Sequence, residues 1–151
     1  MDIHELSDRA EIADLITRYT RHLDQQQWTE LGALFTTDAH IDYGVFGGSI
    51  GNVEETLRFL AEAMPTFTKT QHMLGLPAID LDGDRATAAT PCHNPMVMGH
   101  GKESQVMVCS LWYHHEFTRT PAGWRIASLR EERNFMHMLP GDMPGDMPGD
   151  A

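Results

Sequence analysis

The chain has 151 residues, 41% hydrophobic and 22% charged, the scale of one globular domain able to bury a core and still enclose a pocket. Its 22 acidic and 11 basic side chains leave a formal charge of −11, which argues against phosphate backbones and anionic lipid surfaces as partners. The two cysteines, Cys92 and Cys109, lie outside a Cys-x-x-Cys spacing; this argues against a disulfide scaffold and reads as two buried thiols in a reducing compartment. No apolar run approaches the roughly 18 to 20 residues of a membrane span, and no basic-then-apolar signal pattern opens the chain, so a cytoplasmic protein is expected.

Ser7 precedes Ile12, Leu15, Ile16, Tyr19 and Leu23, the i, i+3, i+4 rhythm of an amphipathic helix. Ser7 is the expected N-cap, with Asp8 and Glu11 at the positive end of the dipole. A second short helix is expected through Trp28, Leu31, Leu34 and Phe35, closed by Thr36, Thr37 and Asp38. Ala39, Ile41 and Tyr43 then alternate with His40 and Asp42, a strand pattern. After a glycine-rich loop, Asn52 and Glu55 have the spacing of a capping box opening a third helix with Leu57, Leu60 and Met64 inward. Pro65 ends that region.

From Lys69 onward the pattern is strands: Thr70 to Asp80, Arg85 to Met98, Ser104 to Thr120, and Trp124 to about Arg133. Three helices followed by long antiparallel strands predict an α+β fold with the helices on one face of a curved sheet. The domain is expected over residues 1–138. Residues 139–151, with their Met-Pro-Gly-Asp repeat, read as a turn-rich tail that is flexible or docked on the body or a neighbour.

Asp24 closes the first helix beside the apolar stripe; alone it reads as a solvated helix end. His72 starts the first long strand, and a lone histidine there reads as structural. Together they suit general-base chemistry, because a carboxylate that accepts Nδ1–H orients the imidazole and leaves Nε2 to take a proton. Tyr19, on the inward helix face, is either core or a hydroxyl donor to a substrate oxygen. Ile41 and Tyr43 share a strand face and are expected to line a pocket. Cys92, His93 and Cys109 match no metal-ligand spacing, so no metal is expected. The run Arg130-Glu131-Glu132-Arg133 reads as a solvated or inter-subunit salt-bridge strand.

The segment from Tyr19 to Trp28 with Leu31, Leu34-Phe35 and Asp38-Ala39 resembles the opening of SnoaL-like proteins in the nuclear-transport-factor-2-like superfamily. Gln71-His72-Met73 with Ile79, Gly83-Asp84 and Ala86 resembles their strand after helix three, and Tyr113, Phe117, Arg119-Thr120 and Gly123 to Ile126 resembles their closing hairpin. The likeness spans about residues 8 to 135 and implies a cone-shaped α+β barrel, three N-terminal helices on a strongly curved, mostly antiparallel sheet. Within the superfamily the chain is most similar to the scytalone dehydratases, the bile-acid 7α-dehydratases and the lindane dehydrochlorinases.

The resemblance implies Asp24, His72 and Tyr19 as catalytic residues of a cofactor-independent lyase, most simply a dehydratase of a small hydrophobic cyclic, polyketide-like or steroid-like molecule. Where the bile-acid dehydratases carry a further acid, this chain reads His93-Asn94-Pro95, and His93 or Asn94 is the expected substrate-binding group. An isomerase or a dehydrohalogenase would need the same first proton transfer, and the fold also serves non-catalytic binding and assembly. The resemblance further implies a homodimer or homotrimer.

Overall fold

The computed structural model describes residues 1–140. Helix α1 (Ile3–Asp24) starts earlier than Ser7: extended Asp2 is the N-cap and accepts from the backbone N–H groups of His4 and Glu5. It buries Ile12, Leu15, Ile16, Tyr19 and Leu23, the stripe evident in the sequence. Its end is a Schellman turn, with Gln27 N–H on the His22 carbonyl at 2.9 Å and Gln26 N–H on that of Leu23 at 3.1 Å. Gln26 adopts φ 54°, where glycine is usual. This reversal fixes Asp24 as the last helical residue at the margin of the buried face.

Helix α2 (Trp28–Gly32) is shorter than expected, and Phe35 already opens β1 (Phe35–Asp42), so Thr36 to Asp38 are strand and not a helix stop. The short β2 (Ile50–Gly51) precedes α3 (Val53–Ala63). The capping box of α3 forms as the sequence signals: Glu55 N–H donates to Asn52 Oδ1 and Asn52 N–H to Glu55 Oε2, both at 2.9 Å.

The expected strand from Thr70 to Asp80 is three pieces, β3 (Lys69–Thr70), β4 (Met73–Leu74) and β5 (Ala78–Asp82). All three pair antiparallel with β6 (Arg85–Met98). Prolines in β6 explain the breaks. The carbonyls of Pro95 and Pro91 accept from Gln71 and Gly75 at 3.2 and 2.9 Å, so the side of β6 that lacks an N–H at each proline faces this interrupted edge.

A meander completes the sheet through β7 (Gln105–Thr120) and β8 (Gly123–Pro140). The order is β2-β1-β8-β7-β6-β3, with β1 parallel to β8 and the other pairs antiparallel. Register shifts in the β7–β8 ladder at Ser110/Leu111 and Glu116/Phe117 bend the strands, as bulges do. Leu139 and Pro140 still pair with Val106 and Gln105, so they belong to the sheet and not to the tail; residues 141–151 lie outside the described residues.

The core fills the space between helices and inner sheet face, with Tyr19, Tyr113, Phe117, Trp124, Ile126 and Leu129 almost fully buried. Asp8 closes this sandwich instead of serving the helix dipole. It accepts from both terminal nitrogens of Arg119 at 2.8 and 2.7 Å and from the Trp124 indole at 3.0 Å, tying α1 to the β7–β8 hairpin. These bonds, those from Arg119 foremost, hold the Asp8 carboxyl down at about 2. No helix among the described residues is long and apolar enough to cross a membrane.

Candidate active site

The helix end and the broken strand edge meet at Asp24 and His72. Asp24 Oδ1 lies 2.6 Å from His72 Nδ1, and Asp24 Oδ2 accepts the backbone N–H of His72 at 2.9 Å. The second bond requires the N–H of residue 72 to be free of the sheet, which the gap between β3 and β4 provides. Asn94 Nδ2 lies 2.9 Å from His72 Nε2, while the Thr70 hydroxyl lies 3.3 Å from Asn94 Oδ1 and 3.4 Å from Asp24 Oδ1. An amide that donates to Nε2 leaves the imidazole proton on Nδ1, directed at the carboxylate. The imidazole is 4% exposed and the carboxylate 20% exposed, so the pair is shielded from bulk water without being sealed.

The dyad opens on a cavity of about 310 Å³ between α1, α3 and the inner sheet face. Its walls are mainly apolar, with Leu23, Phe59, Leu60, Met64, Met96 and Leu111 among them. Tyr19 and Tyr43 line it too, and their hydroxyls are 2.5 Å apart. Burial pushes both phenols well above their ordinary range, so both protons are retained. One hydroxyl proton lies between the pair, and Tyr113, which also interacts with Tyr19, lines the same cavity. Burial likewise raises the thiols of Cys92 and Cys109, to about 12 and 11, which makes them poor nucleophiles.

Of the residues singled out in the sequence, Asp24 and His72 are brought together, while Tyr19, Tyr43 and Asn94 share the cavity with His72. Two need correction. His93 alternates with Asn94 along β6, so the buried amide turns inward and the imidazole is exposed on the opposite face. Ile41 is completely buried in the core and is not part of the cavity wall.

One residue was missed. Glu131 pairs with buried Tyr113 across the β7–β8 ladder and therefore shares its inward face, lining the same cavity as His72. Burial, reinforced by the Asp42 carboxylate, raises it to about 8. The available signal was apolar Leu129 two positions earlier: the strand period carries 129 and 131 to one side, whatever the charge of the run. His115 faces inward as well, stacked on Phe117 with ring centroids 5.4 Å apart, whereas His114 faces outward to Glu132.

Fold and site together define an α+β pocket protein, a curved sheet and three helices around an apolar cavity with a carboxylate-held histidine in its wall. The chain belongs to the SnoaL-like domain family, which matches residues 4–130. It is 39% identical over 139 residues to the uncharacterized protein Rv2910c of Mycobacterium tuberculosis H37Rv, covering 92% of this chain and 94% of that protein. Among solved structures it is similar to the hexachlorocyclohexane dehydrochlorinase LinA-type3 from Novosphingobium barchaimii LL02, with TM-score 0.82, 19% identity, and 98% and 100% of the two chains covered. It is also similar to a Novosphingobium aromaticivorans protein named as a scytalone dehydratase, with TM-score 0.76, 17% identity, and 96% and 95% covered. At these identities the likeness to solved structures speaks for the shared fold.

Proposed function

We propose that the protein is a lyase, a dehydratase acting on a small hydrophobic cyclic substrate of polyketide or steroid type, with His72 as the general base. The observation that carries this reading is the Asp24–His72 pair at 2.6 Å, its Nε2 edge in the wall of an apolar cavity. A carbon acid entering the cavity displaces Asn94 from Nε2 and gives up its proton there. Asp24 keeps the ring oriented through Nδ1–H and balances the charge it gains. The Tyr19–Tyr43 pair donates to the carbonyl oxygen on which negative charge develops.

Dehydration of a panel of cyclic β-hydroxy ketones, read by enone absorbance, tests the reading. A positioned base is worth about 10² to 10⁴ in rate, so His72→Ala is expected to lose at least about 10² while keeping native circular dichroism and melting temperature. Undiminished turnover by that variant refutes the mechanism. The likeness to LinA-type3 favours a second reading, halide loss after the same proton transfer, recognised by release of chloride instead of water. We also infer a homo-oligomer, because Trp112, Phe135 and Met138 remain exposed along the central and closing strands. Sedimentation as a 17.0 kDa monomer ends that part of the proposal.

A further inference from the structure

We infer that Glu131 is the proton donor to the leaving group, and that the cavity therefore takes an uncharged, hydroxyl-bearing ring whose departing group is water. The inference rests on the proton-transfer reading of the same cavity and adds to it the acid that the reading lacks. Hydroxide is a poor leaving group and needs a proton as the carbon–oxygen bond breaks; chloride needs none. A base alone therefore serves dehydrochlorination, and a base with an opposed acid serves dehydration.

Three observations place that acid. Glu131 and His72 contribute to the walls of one cavity, Glu131 from β8 and His72 from the broken edge beyond β3, with β7 and β6 between them in the sheet. No lysine or arginine lines the cavity, and no ion pair engages Glu131 among the described residues, so no cation holds it as a carboxylate. The titratable groups that share the cavity with it are Tyr43 after β1, Tyr113 and Cys109 on β7, Tyr19 on α1 and His72 beyond β3, with Cys92 on β6 close by and the Asp42 carboxylate near it from the outer sheet face. The phenols and thiols are neutral because burial raises them, and burial together with the Asp42 carboxylate favours the protonated carboxyl of Glu131. Its raised value of about 8 is in keeping with this. The same lack of cations, with two acids at the site, disfavours a substrate carboxylate or phosphate.

The step balances within the cavity. His72 Nε2 takes the proton from carbon, and the electron pair of that bond becomes the new double bond. The carbon–oxygen pair leaves with oxygen, which receives the Glu131 proton and departs as water. His72 then releases its proton to solvent and Glu131 takes one up, so the net change is loss of one water.

Two probes that differ only in leaving group separate the roles: 3-hydroxycyclohexanone and 3-chlorocyclohexanone, assayed with the full chain and its Glu131→Gln and His72→Ala variants. Glu131→Gln is expected to lower elimination from the hydroxy ketone by about 10² to 10⁴ and to leave the chloro ketone essentially unchanged, while His72→Ala lowers both. Equal effects of Glu131→Gln on the two probes, or none, overturn the role of Glu131 and leave the base intact. Full activity of His72→Ala on both overturns the underlying reading instead. Carbon-13 titration of glutamate carboxyls reads the proton directly: one glutamate is expected to titrate near 8 in the native chain and to be missing from Glu131→Gln. Titration of every glutamate in the ordinary carboxylate range overturns the inference without any turnover being measured.

Discussion

His115 and Glu131 contribute two opposed slopes to the pH dependence of stability, and a single substitution separates them. His115 sits between the rings of Phe117 and Tyr113, with neither ring nitrogen partnered among the described residues, and burial holds it down at about 3 against an ordinary value of 6.5. Its folded value is depressed, so its contribution to stability is present above about pH 6.5 and is lost as pH falls toward 3. Linkage gives a loss of about 2 kcal/mol between pH 7 and pH 5. Glu131 runs the other way. Raised from 4.5 to about 8, it costs stability as pH rises through that interval, about 2 to 3 kcal/mol between pH 5 and pH 7 by the same relation.

In the native chain the His115 and Glu131 slopes oppose each other between these pH values. In His115→Phe the glutamate slope stands alone and stability is expected to fall by about 2 to 3 kcal/mol from pH 5 to pH 7; in Glu131→Gln it is expected to rise by about 2 kcal/mol. Urea unfolding of the three proteins at both pH values gives the slopes, and repacking around the new side chains cancels because only the pH difference is compared. Parallel pH responses in all three proteins refute the burial argument for both residues.

Two further substitutions test how the site is held. Gln26→Gly relieves the left-handed turn after α1 and is expected to stabilise the chain by about 1 kcal/mol in thermal unfolding; a lower melting temperature would mean that the glutamine side chain does more than turn the chain. Asp8→Asn weakens the clamp on Arg119 and Trp124. Because the Asp8 value is depressed, the native clamp is full above about pH 4 and is lost toward pH 2, so acid unfolding of the variant should begin from lower stability and decline less steeply. An unchanged acid transition removes Asp8 from the account.

Local patterns were legible in the sequence wherever a single element decided the outcome. The inward stripe of α1, the capping box of α3 and the bounds of β6 all follow from spacing within one segment. The N-cap was misread because Ser7 and Asp2 are both good caps, and the helix extends as far as Asp2 allows. Asp24 and His72 were nominated by family resemblance, since 48 residues of sequence separation hide a contact from any local pattern. His93 and Asn94 turned on which face of β6 looks inward, and Glu131 was concealed in a run of four charges. In both cases strand parity counted from a buried neighbour was the better guide than residue chemistry.

The site depends on departures from regular structure more than on the elements themselves. A continuous strand opposite β6 would commit the backbone N–H of His72 to a ladder or leave it unsatisfied; the interruption opposite Pro95 frees it for Asp24 Oδ2. The left-handed Gln26 ends α1 at Asp24, so the carboxylate stands at the helix end, where it accepts that N–H. A straight β8 would bring no wall toward α1, and the register shifts on β7–β8 bend it so that Glu131 and Met136 reach the cavity. Each departure has a modest cost in local stability. Together they bring His72, held by Asp24, and Glu131 to the walls of one mainly apolar cavity of about 310 Å³, which regular helices and strands alone would not do.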